Sequence, residues 1–303
     1  MSEIFTVFTQ NILPILIVAG FGYGLQRWKP VDKKSLSGIV VNILSPCLVF
    51  ASLVNSQLLG DELLDLGLFA VLAIGTMGVL AFMVARVLGL SRRETAVLMI
   101  VTMFVNNGNF GLTLVNLRYG DAGVSRAIVY YATSTMLVYT LGAFIASLGS
   151  LHWRDALKRM IRLPAVYAAF GAVIVYSLNI PVPRPLMSAI EVAGAGAIPV
   201  MLLVLGMQMA DLQGGFNIRL AVPAISMRLL LGPIIGLVVA TFIGLEGLGR
   251  STSIVQTSMP PAVFTIVLAT EFGLKATVVT GIVVVATLIS PLTIALAITL
   301  LGL

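Results

Sequence analysis

The sequence predicts an all-α membrane protein with ten transmembrane helices in two inverted five-helix repeats, whose fourth and ninth helices are broken and cross. Three observations lead there: an extreme apolar composition, basic residues gathered in alternate loops, and helix breakers that recur at one offset. Of 303 residues, 59% are hydrophobic and 10% charged, against about 25% charged in a typical soluble domain. Mean hydropathy is +1.08. No soluble core hides that much apolar surface, so the chain is read as polytopic.

A helix needs about 20 apolar residues to cross a bilayer. Ten such runs are present, at roughly 6–26, 36–55, 63–89, 94–117, 123–148, 163–180, 185–210, 219–244, 251–272 and 276–302. They are called spans 1 to 10 below. The first lacks the basic start and small-residue cleavage site of a signal peptide and reads as a retained helix. The net charge of +6 is topogenic rather than a nucleic-acid footprint, because it is concentrated in alternate loops. Arg27, Lys29, Lys33 and Lys34 follow span 1, Arg86, Arg92 and Arg93 flank the turn after span 3, and Arg154, Lys158, Arg159 and Arg162 follow span 5. Positive loops face the cytoplasm. Both termini are therefore expected outside a multi-pass plasma-membrane protein, with the basic linker 149–162 inside. An inward central linker gives the halves 1–148 and 163–303 opposite orientation.

The halves also share a pattern. An offset of 153 residues places Ser45-Pro46 on Ile198-Pro199, Gly120 on Gly273, and Asn106-Asn107-Gly108 on Met259-Pro260-Pro261. Spans 4 and 9 are thus interrupted at equivalent places. In span 4, "TMFVNNGNFGLTLV" sets Asn106, Asn107 and Asn109 beside Gly108 and Gly111. In span 9, Pro260-Pro261 remove two backbone donors and clash with the preceding turn. Non-helical backbone at membrane depth survives only inside protein or beside a water-filled cavity, and paired broken helices point to a transporter's binding site.

These residues carry a resemblance. Pro14, Gly22-Tyr23-Gly24 and Trp28, then Ser45-Pro46, then Asn106, Gly111 and Tyr119-Gly120, and finally Ile254-Val255-Gln256, Pro260 and Glu271 resemble the auxin efflux carrier family in order and spacing. The family includes plant auxin exporters and bacterial carriers of small organic acids. The resemblance implies a scaffold of spans 1, 2, 6 and 7 and a mobile transport domain of spans 3–5 and 8–10, moving as an elevator. It also places the neighbourhood of Pro46 beside the substrate. The chain departs from the plant exporters at Val105, where they have proline, and at Pro261, where they have glutamine.

The expected substrate site comprises Asn106, Asn107, Asn109, Ser45, Pro46, Leu48, Gln256, Met259, Pro260 and Pro261. Thr133 and Ser134 in span 5 are hydroxyl candidates for a coupling ion, and Glu191 in span 7 is the candidate carboxylate. Asn side chains and half-helix N-termini favour an anion, so the leading expectation is a secondary carrier of a small carboxylate or auxin-like anion. The alternatives are a sodium-coupled symporter resembling the bile-acid symporter family, and an anion channel. An intramembrane enzyme is not expected, because the one histidine, His152, lies in a loop and no two acidic residues share the membrane centre. The lone Cys47 excludes an intrachain disulfide or cysteine metal site. No cofactor or metal is expected. The expected partners are the anion and the lipid bilayer, with a coupling ion (proton or sodium) and a homodimer left open, and no nucleic acid.

Overall fold

The computed structural model describes residues 2–55, 60–147, 164–178, 180–210 and 217–303. The basic linker 149–162, with His152 and Lys158, lies outside the described residues. Most of the described residues are helical. We number the helices α1 (Phe5–Trp28), α2 (Ser35–Val54), α3 (Gly60–Val87), α4 (Arg92–Met103), α5 (Asn107–Ala146), α6 (Pro164–Ser177), α7 (Arg184–Ala210), α8 (Ile218–Ile243), α9 (Gly247–Thr257), α10 (Phe264–Glu271) and α11 (Ala276–Leu301).

Seven of these, namely α1, α2, α3, α5, α7, α8 and α11, are long and apolar enough to cross a membrane. The difference from ten runs has physical causes. Span 4 is divided into α4 and the start of α5, and span 9 into α9 and α10, so α4, α9 and α10 are 12, 11 and 8 residues long. Span 6 is a shorter apolar helix, α6. The rest of span 4 runs into span 5 within α5, because the chain bends at Gly120 (φ 61°, ψ −159°) without a separate loop. Gly273 (φ 65°) makes the corresponding bend between α10 and α11. Glycine pays no Cβ penalty at positive φ, which explains why both turns carry it.

Local signals set the boundaries. Ser91 and Glu94 form a reciprocal capping box that starts α4, satisfying two amides that would otherwise be orphaned. Gly244, left-handed at φ 83°, stops α8.

Packing follows the distribution of small residues. The main neighbours of α2 are α6 and α7, while α7 also lies along α1. A Cβ on Gly22 would overlap the Leu203 carbonyl, and one on Gly206 the Ala19 carbonyl. Between helices in lipid, close backbone approach and van der Waals contact replace the hydrophobic drive. On the other side of the molecule, α3 packs on α4, α5 and α8, and α9 packs on α5 and α8. Gly206→Val is expected to separate α1 from α7, where the obstruction is main chain and cannot rotate away. The purified variant should lose monodispersity and melt several degrees lower in detergent, whereas Gly20→Val, with open space at its Cβ, should match the parent.

Candidate functional site

The two breaks face each other. Val105 and Pro261 form an isolated antiparallel bridge. The Asn106 amide donates to the Pro260 carbonyl at 2.8 Å, and the Ala262 amide donates to the Phe104 carbonyl at 2.9 Å. The paired prolines fit this arrangement. Pro260 is needed only as an acceptor, and the hydrogen-bonding partners on this strand are residues 260 and 262, so the missing N–H of Pro261 costs no bond. β-Branched Val105 suits the extended backbone between them. Beyond the break, α5 starts with a wide π turn closed by the Gly111 amide donating to the Asn106 carbonyl at 3.0 Å.

Gly108 and Gly111 lie in this first wide turn of α5. Neither has positive φ. Their role is space: a Cβ on Gly111 would overlap the Gln256 amide oxygen, and one on Gly108 would come 2.9 Å from the Tyr131 ring.

One side of this crossing lines a cavity of about 540 Å³. The first residues of α5 (Asn107, Gly108, Asn109) and the approach to α10 (Ala262, Val263, Phe264) meet there with Asn106. Both helices present their N-terminal, electropositive ends to it. Tyr131, Tyr139, Phe104 and Phe264 contribute aromatic wall, with the Tyr139 and Phe264 rings 4.7 Å apart. No Asp, Glu, Lys or Arg is among its described lining residues. The Nδ2 atoms of Asn106 and Asn107 and the Oε1 of Gln208 are buried without a hydrogen-bond partner, and all three residues line the cavity. A buried unsatisfied polar atom costs about 1–3 kcal/mol, and a ligand or water in the cavity would recover it.

The cavity lies in one half of the bundle. α2, α6 and α7 contribute Ser37, Asn42, Pro164 and Gln208, of which Ser37 and Pro164 follow closely on the basic stretches at Lys33-Lys34 and Arg159–Arg162 in the sequence. At the opposite end, polar ties draw the helices together. Asn11 donates to the Leu117 carbonyl at 3.4 Å, Ser125 to the Ser52 carbonyl at 3.2 Å and Asn55 to Glu191 at 2.9 Å, while Arg126 pairs with Glu62 at 2.6 Å.

The sequence-derived candidates separate accordingly. Asn106, Asn107, Asn109 and Ser134 line the cavity. Ser45 is one step back, its hydroxyl 3.0 Å from that of Tyr131. Gln256 and Met259 are fully buried behind Gly111, and both amide atoms of Gln256 lack partners. Pro260 and Pro261 form the bridge itself. Leu48 packs instead toward α7, where its backbone lies 3.1 Å from a Cβ on Gly194, and Pro46 sits in the first turn of the adjoining segment of α2. Thr133 faces a separate small apolar pocket with Leu53 and Phe170. Glu191 is exposed and bonded to Asn55.

One residue escaped the sequence reading. Arg228, 3% exposed in α8, donates Nη1 to the Thr102 carbonyl and Nη2 to the Thr257 carbonyl. Those carbonyls belong to the last turns of α4 and α9. A charge within an apolar span is a functional signal in itself, and "ISMRLLLGPI" displays it.

Known proteins resemble the chain over nearly its whole length. Residues 7–150 and 151–298 both match the family described as membrane transport protein, the auxin efflux carrier family. The chain belongs to this family. An uncharacterized transporter of Methanothermobacter thermautotrophicus is 27% identical over 293 residues, covering 95% of this chain and 96% of that one. An uncharacterized transporter of Methanocaldococcus jannaschii is 24% identical over 298 residues, covering 94% and 96%. The chain is accordingly a multi-pass membrane protein of a transporter family.

The space argument yields a contrast. Gly111→Ala meets the Gln256 and Met259 side chains, both fully buried, and is expected to lower the melting temperature as they are forced to repack. Gly108→Ala meets only a Tyr131 ring edge, which can shift, and should cost less. Equal melting temperatures for the two purified variants would contradict the packing account of Gly111.

Proposed function

We propose that the protein is a secondary-active carrier of a small organic anion, with the ligand bound where the two helix breaks cross. The observation that carries this reading is the convergence of two helix N-termini and two unpartnered buried Asn amides on a cavity with no carboxylate among its described lining residues. Helix N-termini and amide donors stabilise negative charge. A cation carrier would want a carboxylate there to supply charge, and none is among the described lining residues. The aromatic walls suit an apolar body behind the anionic group.

In this reading the fold is the ten-span inverted repeat, with α4 plus the start of α5 as span 4 and α9 plus α10 as span 9. The bends at Gly120 and Gly273, at the offset found in the sequence, favour it. Transport is by an elevator movement of spans 3–5 and 8–10 against spans 1, 2, 6 and 7. The cavity then faces the cytoplasm, the polar ties close the outer side, and both termini are outside in the plasma membrane. Closure of one side favours a carrier over an open channel.

Orientation is testable directly. A tag at either terminus should be labelled from outside intact cells, and a cysteine at Lys158 only after the membrane is opened. Labelling of position 158 from outside would sink the inverted-repeat assignment.

The site is tested by binding to purified protein across a panel of mono- and dicarboxylates. Asn106→Ala should weaken the best-bound anion by about one hydrogen bond to a charged group, about 1.5–3 kcal/mol, on the order of tenfold to a hundredfold. Asn106→Asp should be worse, since a carboxylate would repel the ligand. An Asp variant that binds the anion as tightly as the parent would overturn the assignment.

A further inference from the structure

The ends of α4 and α9 form a second polar centre, on which the anion reading does not depend. An interrupted helix leaves its last carbonyls without intrahelical donors, and each C-terminus carries roughly half a negative charge. Two such ends meet here, so their field sums to about one negative charge. Carbonyl oxygens from broken helices are the kind of ligand that holds an alkali cation in a membrane carrier. In this chain the guanidinium of Arg228 bonds one carbonyl of each end, Thr102 and Thr257.

The surroundings are shaped for it. Gly232, one turn further along α8, leaves the room that the guanidinium fills: a Cβ there would overlap Nη2 and come 2.5 Å from the Thr257 carbonyl. No described residue forms an ion pair with Arg228. Its Nε is buried without a partner. A buried charge without a carboxylate is costly, and the aggregate dipole of two helix ends is the compensation that the fold supplies.

We propose that Arg228 is a resident cation that occupies the carbonyl centre where a mobile sodium or potassium ion would otherwise bind, and that the breaks are held by it without any coupling alkali ion. An arriving cation would meet the arginine's like charge and find the Thr102 and Thr257 oxygens taken. Arg228 is thus a positioning residue. It acts on the cavity by tying α4 and α9 together, and it does not touch the ligand. Under the carrier reading, transport then requires no sodium.

The test needs no substrate, so its failure is separable from failure of the anion assignment. Thermal unfolding of the purified parent, Arg228→Lys and Arg228→Gln would be followed in sodium, potassium and N-methylglucamine chloride at equal ionic strength. The parent should melt at one temperature in all three salts. Arg228→Gln should melt several degrees lower in N-methylglucamine and recover part of that loss in sodium or potassium, as a small cation enters the vacated centre. Arg228→Lys, which keeps the charge, should recover much of the stability and show no preference among the salts. A parent or Lys variant stabilised specifically by an alkali cation would overturn the proposal, and so would a Gln variant that folds but responds to no cation. If the Gln variant cannot be purified, the parent and Lys proteins still decide the matter by that same criterion.

Discussion

The structure depends on how backbone groups freed at two helix breaks are satisfied where bulk water is absent. A break at membrane depth exposes amides and carbonyls that each cost several kcal/mol if left unpaired in hydrocarbon. Here the breaks satisfy each other. Asn106 donates to Pro260, Ala262 donates to Phe104, and Arg228 takes a carbonyl from each preceding helix. Neither break could be closed without the other. The two halves of the chain are joined at their least helical points, and helix α8 is joined to both.

This requirement reaches outward into the sequence. For the breaks to touch, α9 must lie close against α5, and that closeness is bought with Gly111. For α8 to reach both carbonyls, Gly232 must leave room for a long side chain, and Gly236, whose Cβ would overlap the Thr257 hydroxyl, must let α8 lie against α9. Displacing α4 or α9 alone would break hydrogen bonds to the other and to α8 at once. Under the proposed elevator reading, this shared bonding is what would carry these helices as one unit.

Much of this was legible because the membrane makes exceptions conspicuous. Three Asn in four residues, or two consecutive prolines, are unremarkable in a soluble loop and costly within an apolar run. They marked both breaks. What was not legible was rotation about the helix axis. Thr133 and Ser134 are adjacent and chemically alike, yet Ser134 lines the cavity and Thr133 faces another pocket. Hydropathy also could not show that Leu48 faces α7 or that Glu191 meets Asn55. What run counting did not show is how short the pieces are: α4, α9 and α10 have only 12, 11 and 8 residues. Arg228 was missed for a different reason. Its charge is plain in the sequence, but its partners are main-chain carbonyls of two distant helices, which no residue pattern reveals.

The breaks also sort charge. Each broken helix has two new ends of opposite polarity. The negative ends, of α4 and α9, turn toward α8 and are met by Arg228. The positive ends, of α5 and α10, turn to the cavity, where no described lining residue bears a charge. Had the crossing been left to itself, the four ends would nearly cancel and a ligand would feel little field. Neutralising one pair with a built-in cation leaves the other pair uncompensated, which is the electrostatic ground for the proposed anion site. Under the proposed carrier reading, the buried arginine and the neutral asparagines are two parts of one electrostatic arrangement, in which the charge that would select the ligand lies behind the backbone rather than in the cavity wall.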